Sequence, residues 1–268
     1  MTTLIFFADM LRANKLFKSN SEGRPDDLSS FLLSLGGTNF TNCITPGPDT
    51  PRSMGIFFTG KLPIESGLNY RSKWPGPNIS EAQEALFSEV LGSGVPLRIL
   101  GSSAQEIGIL FPKHLQAYAS FFPTLDSLAS HRSLDSKDKD VVFIVSKSYH
   151  REVDERRAHH SAHRAGATAI LKELRAAIDT LRLGVKDNLF LFSDHGCKLS
   201  DDSYGEVELL DTDRSQVVFY HSDFTGRAIQ QNRNLYSMVD VHQIVKHQIQ
   251  ESSRPLDEKS HALWTPEP

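Results

Sequence analysis

The chain has 268 residues, 39% hydrophobic and 23% charged, which fits a soluble globular protein long enough to bury a large core. A net charge of −4 argues against a dedicated binder of nucleic acid or of an anionic membrane surface. No run of about 18 consecutive apolar residues occurs, so no membrane span is expected.

In chain order, "MTTLIFFADMLRANK" lacks the basic region and small-residue cleavage site of a signal peptide. Cys43 and Cys197 are too few for a disulfide framework, and together these features imply a reducing, cytoplasmic location. "TLIFFA" (3–8) reads as a strand, and "PDDLSSFLLSLG" as a helix that stops at Gly36-Gly37. "NFTNCI" (39–44) is a second strand. It leads into "TPGPDTPRSMG", where Thr50 as N-cap and Pro51 as first helical residue predict a helix start. "SEAQEALFSEVLGSG" (80–94) opens on a capping-box pattern, Ser80 with Glu84 nearby, and "PLRILG" (96–101) follows as a strand.

"DVVFIVS" (140–146) and "NLFLFS" (188–193) are continuous apolar runs, as expected of strands covered on both faces. A long helix is predicted between them from "ERRAHHSAHRAG" onward. "QVVFY" (216–220) and a helix in "LYSMVDVHQIVKHQIQ" complete the pattern. The alternation predicts an α/β fold, a mostly parallel central sheet with helices on both faces. One domain spans 1–250, and 251–268 form a polar tail.

Ligands of such sheets bind beyond the carboxyl ends of the strands. Asp9, the 45–50 loop, the segment Ser146 to Asp154 and Asp194-His195 therefore converge on one crevice. Taken singly, Asp9 and Asp194 read as caps of helices or turns, and His195 as a loop residue. At one sheet edge together they suit a hard-to-borderline divalent cation: zinc, manganese, magnesium or calcium. A hydroxyl beside such an ion, as on Thr50, is a usable nucleophile, and Arg52 is placed to neutralise developing charge. His150 and Asp154 are spaced to share a helix face. They are candidates for acid–base work, leaving-group contact or a second metal, whereas His159, His160 and His163 read as a solvated helix start. Arg71 and Lys73 are candidate anion contacts or plain surface charges.

Three blocks resemble the sulfatase branch of the alkaline phosphatase superfamily. An Asp follows the first strand in "FFADMLR", Thr50 stands nine residues before Thr59-Gly60, and "SDHG" is intact at Ser193 to Gly196. The resemblance implies Thr50 as nucleophile and metal ligand. It also implies Asp9, Asp194 and His195 on the same cation, one or two ions in all, and in-line displacement through a covalent Thr50 ester. The family's C/S-x-P-S-R pattern is here "TPRSM", and threonine cannot become the formylglycine of true sulfatases. The expected activity is thus a metal-dependent hydrolase or transferase of a phosphate mono- or diester, acting on a small anionic ester. A sulfuric-ester hydrolase and a catalytically degenerate anion- or partner-binding protein are the alternatives. The paired aspartates of the family are reduced to Ala8-Asp9, and no histidine lies between His195 and "QVVFY".

Overall fold

The protein is described from a computed structural model that covers residues 1–18, 25–47, 49–68, 79–122, 140–156, 161–197 and 212–253. The strands are β1 (Thr2–Ala8), β2 (Thr38–Ile44), β3 (Leu97–Gly101), β4 (Ala119–Phe121), β5 (Asp140–Ser146), β6 (Asn188–Phe192), β7 (Phe219–Ser222) and β8 (Gln230–Ser237). They form one sheet in the order β4-β3-β5-β1-β6-β7-β2-β8, parallel throughout except for β7, which runs against both of its neighbours.

Alternation along β1 explains why its whole length is apolar. Leu4, Phe6 and Ala8 enter the core on one face, and Ile5 and Phe7 the core on the other. The first face is covered by α1 (Asp27–Leu35), α3 (Ser148–Glu155) and α4 (Ser161–Leu181). The second is covered by α2 (Thr50–Thr59) and α5 (Met238–Ser253). Phe57 of α2 stacks on Phe192 of β6 at 4.4 Å between ring centroids. Such a pair contributes about 0.5–1.5 kcal/mol beyond burial, and here it fixes α2 against the strand that leads to Asp194.

Several boundaries differ from the sequence expectation. Asp49, not Thr50, is the N-cap of α2: its carboxylate accepts the Arg52 amide at 3.0 Å, making Thr50 and Pro51 the first two helical residues. The 80–94 stretch is helical only over Ser88–Gly92. Its capping box is replaced by a turn in which Gln83 accepts the Ser80 amide, while buried Glu84 accepts the amides of Leu86 and Phe87. The helix expected from Glu155 is instead the end of α3, because Arg156 leaves helical geometry, and α4 begins at Ser161. "QVVFY" is a strand only from Phe219; Gln216 and Val217 form single bridges to Ile44 and Arg12. Helix α5 runs past residue 250 to Ser253, and 254–268 lie outside the described residues.

The far end of α2 is locked by α5. Gly60 takes a left-handed turn (φ 66°), and a Cβ there would stand 2.6 Å from the imidazole of His242. His242 donates from Nδ1 to the Phe57 carbonyl at 2.6 Å. Burial lowers its pKa from the ordinary 6.5 to about 4, against the raising effect of that bond and with a further lowering by Lys246. The unfolded chain therefore takes up the proton first as pH falls. His242 contributes fully above pH 6.5, and its contribution is lost as pH falls toward about 4. Urea unfolding across that window should show an acid-side loss on the order of 3 kcal/mol that His242→Gln reduces. An unchanged slope in the variant would contradict this assignment.

Candidate active site

The carboxyl ends of β1, β2, β5 and β6 lie on one edge of the sheet, and each delivers part of the site. Asp9 follows β1, and its amide donates to Ser146 O at the end of β5 (3.0 Å). The chain then turns at Met10 (φ 63°), which aims the Met10 amide at Asp194 Oδ1, 3.1 Å away. Asp194 follows β6, and its Oδ1 also accepts the His195 amide at 2.9 Å. Segment 213–216 passes so close across "SDHG" that a Cβ on Gly196 would stand 2.0 Å from the Asp213 carbonyl. That passage demands glycine, and it is fixed by the Gly196 amide on Arg214 O (2.8 Å) and by buried Arg12 on Asp213.

Asp9, Asp194 and His195 are buried, and one ligand atom from each lies within 4.8 Å of the others. Among the described residues, Asp9 Oδ1 and Asp194 Oδ2 accept no hydrogen bond of normal geometry. Two unsatisfied carboxylate oxygens at zero exposure are costly unless a cation takes them. His195 donates from Nδ1 to the Gly196 carbonyl (2.7 Å), which leaves Nε2 with its lone pair toward the cluster. That nitrogen lies 3.4 Å from Asp194 Oδ2 and 3.3 Å from Thr50 Oγ1. This donor set of carboxylate oxygens, an imidazole nitrogen and a hydroxyl suits a divalent cation.

Thr50 reaches this position because Asp49 performs the capping. With Asp49 on the Arg52 amide, the Asp49 carbonyl on the Ser53 amide and no donor on Pro51, few first-turn donors remain for an anion. The amides at the start of α2 are therefore largely taken. Arg52 itself folds back onto Asp49 in an ion pair. Ser53, which the sequence reading overlooked, is fully buried. Its hydroxyl donates to Asp194 O at 2.6 Å and meets Thr45 Oγ1 at 2.9 Å, tying α2, the β2 loop and the Asp194 turn together. Its one sequence signal is a hydroxyl three residues after Thr50, on the same helical face.

A second group closes on Asp9 from α3. His150 Nδ1 lies 2.9 Å from Asp9 Oδ2, and Lys147, also overlooked, places Nζ 3.6 Å from the same oxygen. Asp154 stands apart from the metal-type cluster, half-exposed, with Oδ2 3.3 Å from His150 Nε2. Both ring nitrogens thus face carboxylates. The Asp9 bond and the Asp9 and Asp154 charges raise the pKa of His150 against burial and Lys147. Burial raises Asp9, but the His150 bond and the charges of His150, Lys147 and His195 bring it below the ordinary value. Asp194 is raised, by burial first and then by Asp9, despite His195 and the Thr50 hydroxyl. The two carboxylates are pushed apart in proton affinity, as expected of close like charges. His163 bonds to Tyr149 and Asp26 away from this group; His159, His160, Arg71 and Lys73 lie outside the described residues.

The fold that carries this site is a sulfatase-like α/β fold. No protein-family model and no curated protein matches the chain by sequence. Solved structures do match it in fold. One is a 2-O GAG sulfatase (TM-score 0.66, 11% identity), aligned over 96% of this chain and 72% of that one. The lipoteichoic acid synthase LtaP of Listeria monocytogenes aligns at TM-score 0.63 and 10% identity, over 90% and 70%. The C-terminal periplasmic domain of the phosphoethanolamine transferase EptC of Campylobacter jejuni aligns at TM-score 0.63 and 13% identity, over 95% and 91%.

Proposed function

We propose that the protein is a metal-dependent hydrolase or transferase of the superfamily, acting on a phosphate mono- or diester through Thr50. The observation that carries this reading is the Thr50 hydroxyl, released from capping by Asp49, 3.3 Å from His195 Nε2 beside two buried carboxylates with unsatisfied oxygens. Asp9, Asp194, His195 and Thr50 would hold a divalent cation, which supplies Lewis-acid stabilisation and a lowered hydroxyl pKa when bound. Thr50 Oγ1 forms the new bond to phosphorus as the ester oxygen leaves in line, and its proton goes to water, because His195 Nε2 and Asp194 Oδ2 are committed as ligand atoms. Lys147 neutralises charge on the transferring group. The imidazolium of His150 gives its Nε2 proton, held toward solvent by Asp154, to the departing oxygen. Water or an acceptor hydroxyl, giving its proton to the now neutral His150, then displaces Thr50 from phosphorus.

Phosphate is preferred over sulfate because a threonine side chain lacks the oxidation chemistry of formylglycine. A panel of aryl phosphate, bis-aryl phosphodiester and aryl sulfate, assayed with each of zinc, manganese, magnesium and calcium, tests it. Turnover of a phosphate ester is the expected result, and turnover of the sulfate alone would overturn the preference.

A further inference from the structure

We infer that Glu173, in the middle of α4 and far from Asp9 in sequence, is a positioning residue that sets Lys147 and His150 over Asp9. It is a buried carboxylate, and it accepts hydrogen bonds from two hydroxyls on the β5–α3 turn, Ser146 Oγ and Ser148 Oγ. Those serines flank Lys147, and Ser146 Oγ in turn accepts the Ser148 amide at 3.4 Å. The same Ser146 carries the carbonyl that takes the Asp9 amide, so Glu173 anchors both sides of the Asp9 contact from behind the sheet edge.

The anchoring is specific because α3 and α4 approach closely. A Cβ on Gly166 would meet the Tyr149 ring at 2.5 Å, and the Tyr149 hydroxyl lies 3.0 Å from His163 Nδ1 at the start of α4. Tyr149 is the residue before His150, so these contacts and Glu173 clamp the turn at both ends. A buried glutamate in an otherwise apolar helix face is retained only where its charge is answered, and two converging hydroxyls answer it. Groups behind the reacting residues that orient them in this way typically account for about 10- to 100-fold in activity.

The inference rests on the site reading above, and its test separates the two. Glu173→Leu should lower kcat about 10- to 100-fold with KM changed far less, while Glu173→Gln, which still accepts from one hydroxyl, should restore most of the rate. Adding Glu173→Leu to the pair Lys147→Ala and His150→Ala should cost little more than that pair alone, because Glu173 acts through those two side chains. Additive losses would overturn the inference. Amide hydrogen exchange supplies an arm independent of activity. Residues 147–151 should lose protection about tenfold in Glu173→Leu while 194–196 keep theirs, and equal protection in both proteins would overturn it. If Glu173→Leu does not fold, the pair Ser146→Ala and Ser148→Ala reads out the same exchange from the other partner. A wild-type protein that turns over none of the esters would end the proposed function and leave the exchange result to decide on Glu173.

Discussion

Thr50→Ala should abolish turnover, lowering kcat by on the order of 10⁴-fold or more, the scale seen when a covalent nucleophile is removed. The same change should leave stability nearly untouched, because Asp49 and not Thr50 caps α2. Were Thr50 the cap, its loss would cost about 1 kcal/mol with no necessary effect on rate. Urea unfolding and a single-turnover assay on the same preparation therefore separate the two roles. Thr50→Ser keeps an oxygen at the same place and should retain part of the activity. Equal rates for wild type and Thr50→Ala would remove Thr50 from the chemistry altogether.

Asp194→Asn is expected to produce two effects of opposite sign. In chelator-treated protein it should raise stability, because it removes a fully buried carboxylate whose ionisation is opposed by burial and by Asp9. In the presence of a divalent cation it should abolish most of the stabilisation that the cation gives the wild type. A cation present at a hundredfold excess over its Kd stabilises by about 2.7 kcal/mol, enough for a melting shift of several degrees. Thermal scans with each of the four candidate metals measure both effects. A melting shift of the same size in Asp194→Asn and wild type would exclude Asp194 as a ligand.

The parts of the fold legible in the sequence were those whose physics is local. β1, β5 and β6 are covered on both faces, so their apolar runs are continuous, and the residue after each run falls at the sheet edge where Asp9, Ser146 and Asp194 stand. β8 leaves no mark in the sequence because "QQNRNLYS" is, among the described residues, an outermost strand paired on one side and largely exposed, so no alternation shows it. The cap of α2 was misread by one position because "DTP" offers two residues of capping type in succession. Only the geometry shows which side chain turns back on the Arg52 amide. Ser53, Lys147 and Glu173 were invisible for another reason. Their roles rest on contacts between residues 25 to 141 positions apart, and no spacing rule reaches that far. A shared helix face with His150 makes Asp154 a candidate ligand of a second metal in the sequence; it does meet His150, but on the ring nitrogen that faces away from Asp9.

The central claim is that Thr50 becomes covalently phosphorylated during turnover. Acid-quenching the protein with an aryl phosphate and its activating cation, followed by peptide mass mapping, addresses it directly. The account predicts a phosphoryl group on the peptide that carries Thr50, absent from Thr50→Ala and from chelator-treated protein. A Thr50 peptide recovered without a phosphoryl group from protein quenched during turnover, or steady turnover by Thr50→Ala, would contradict it.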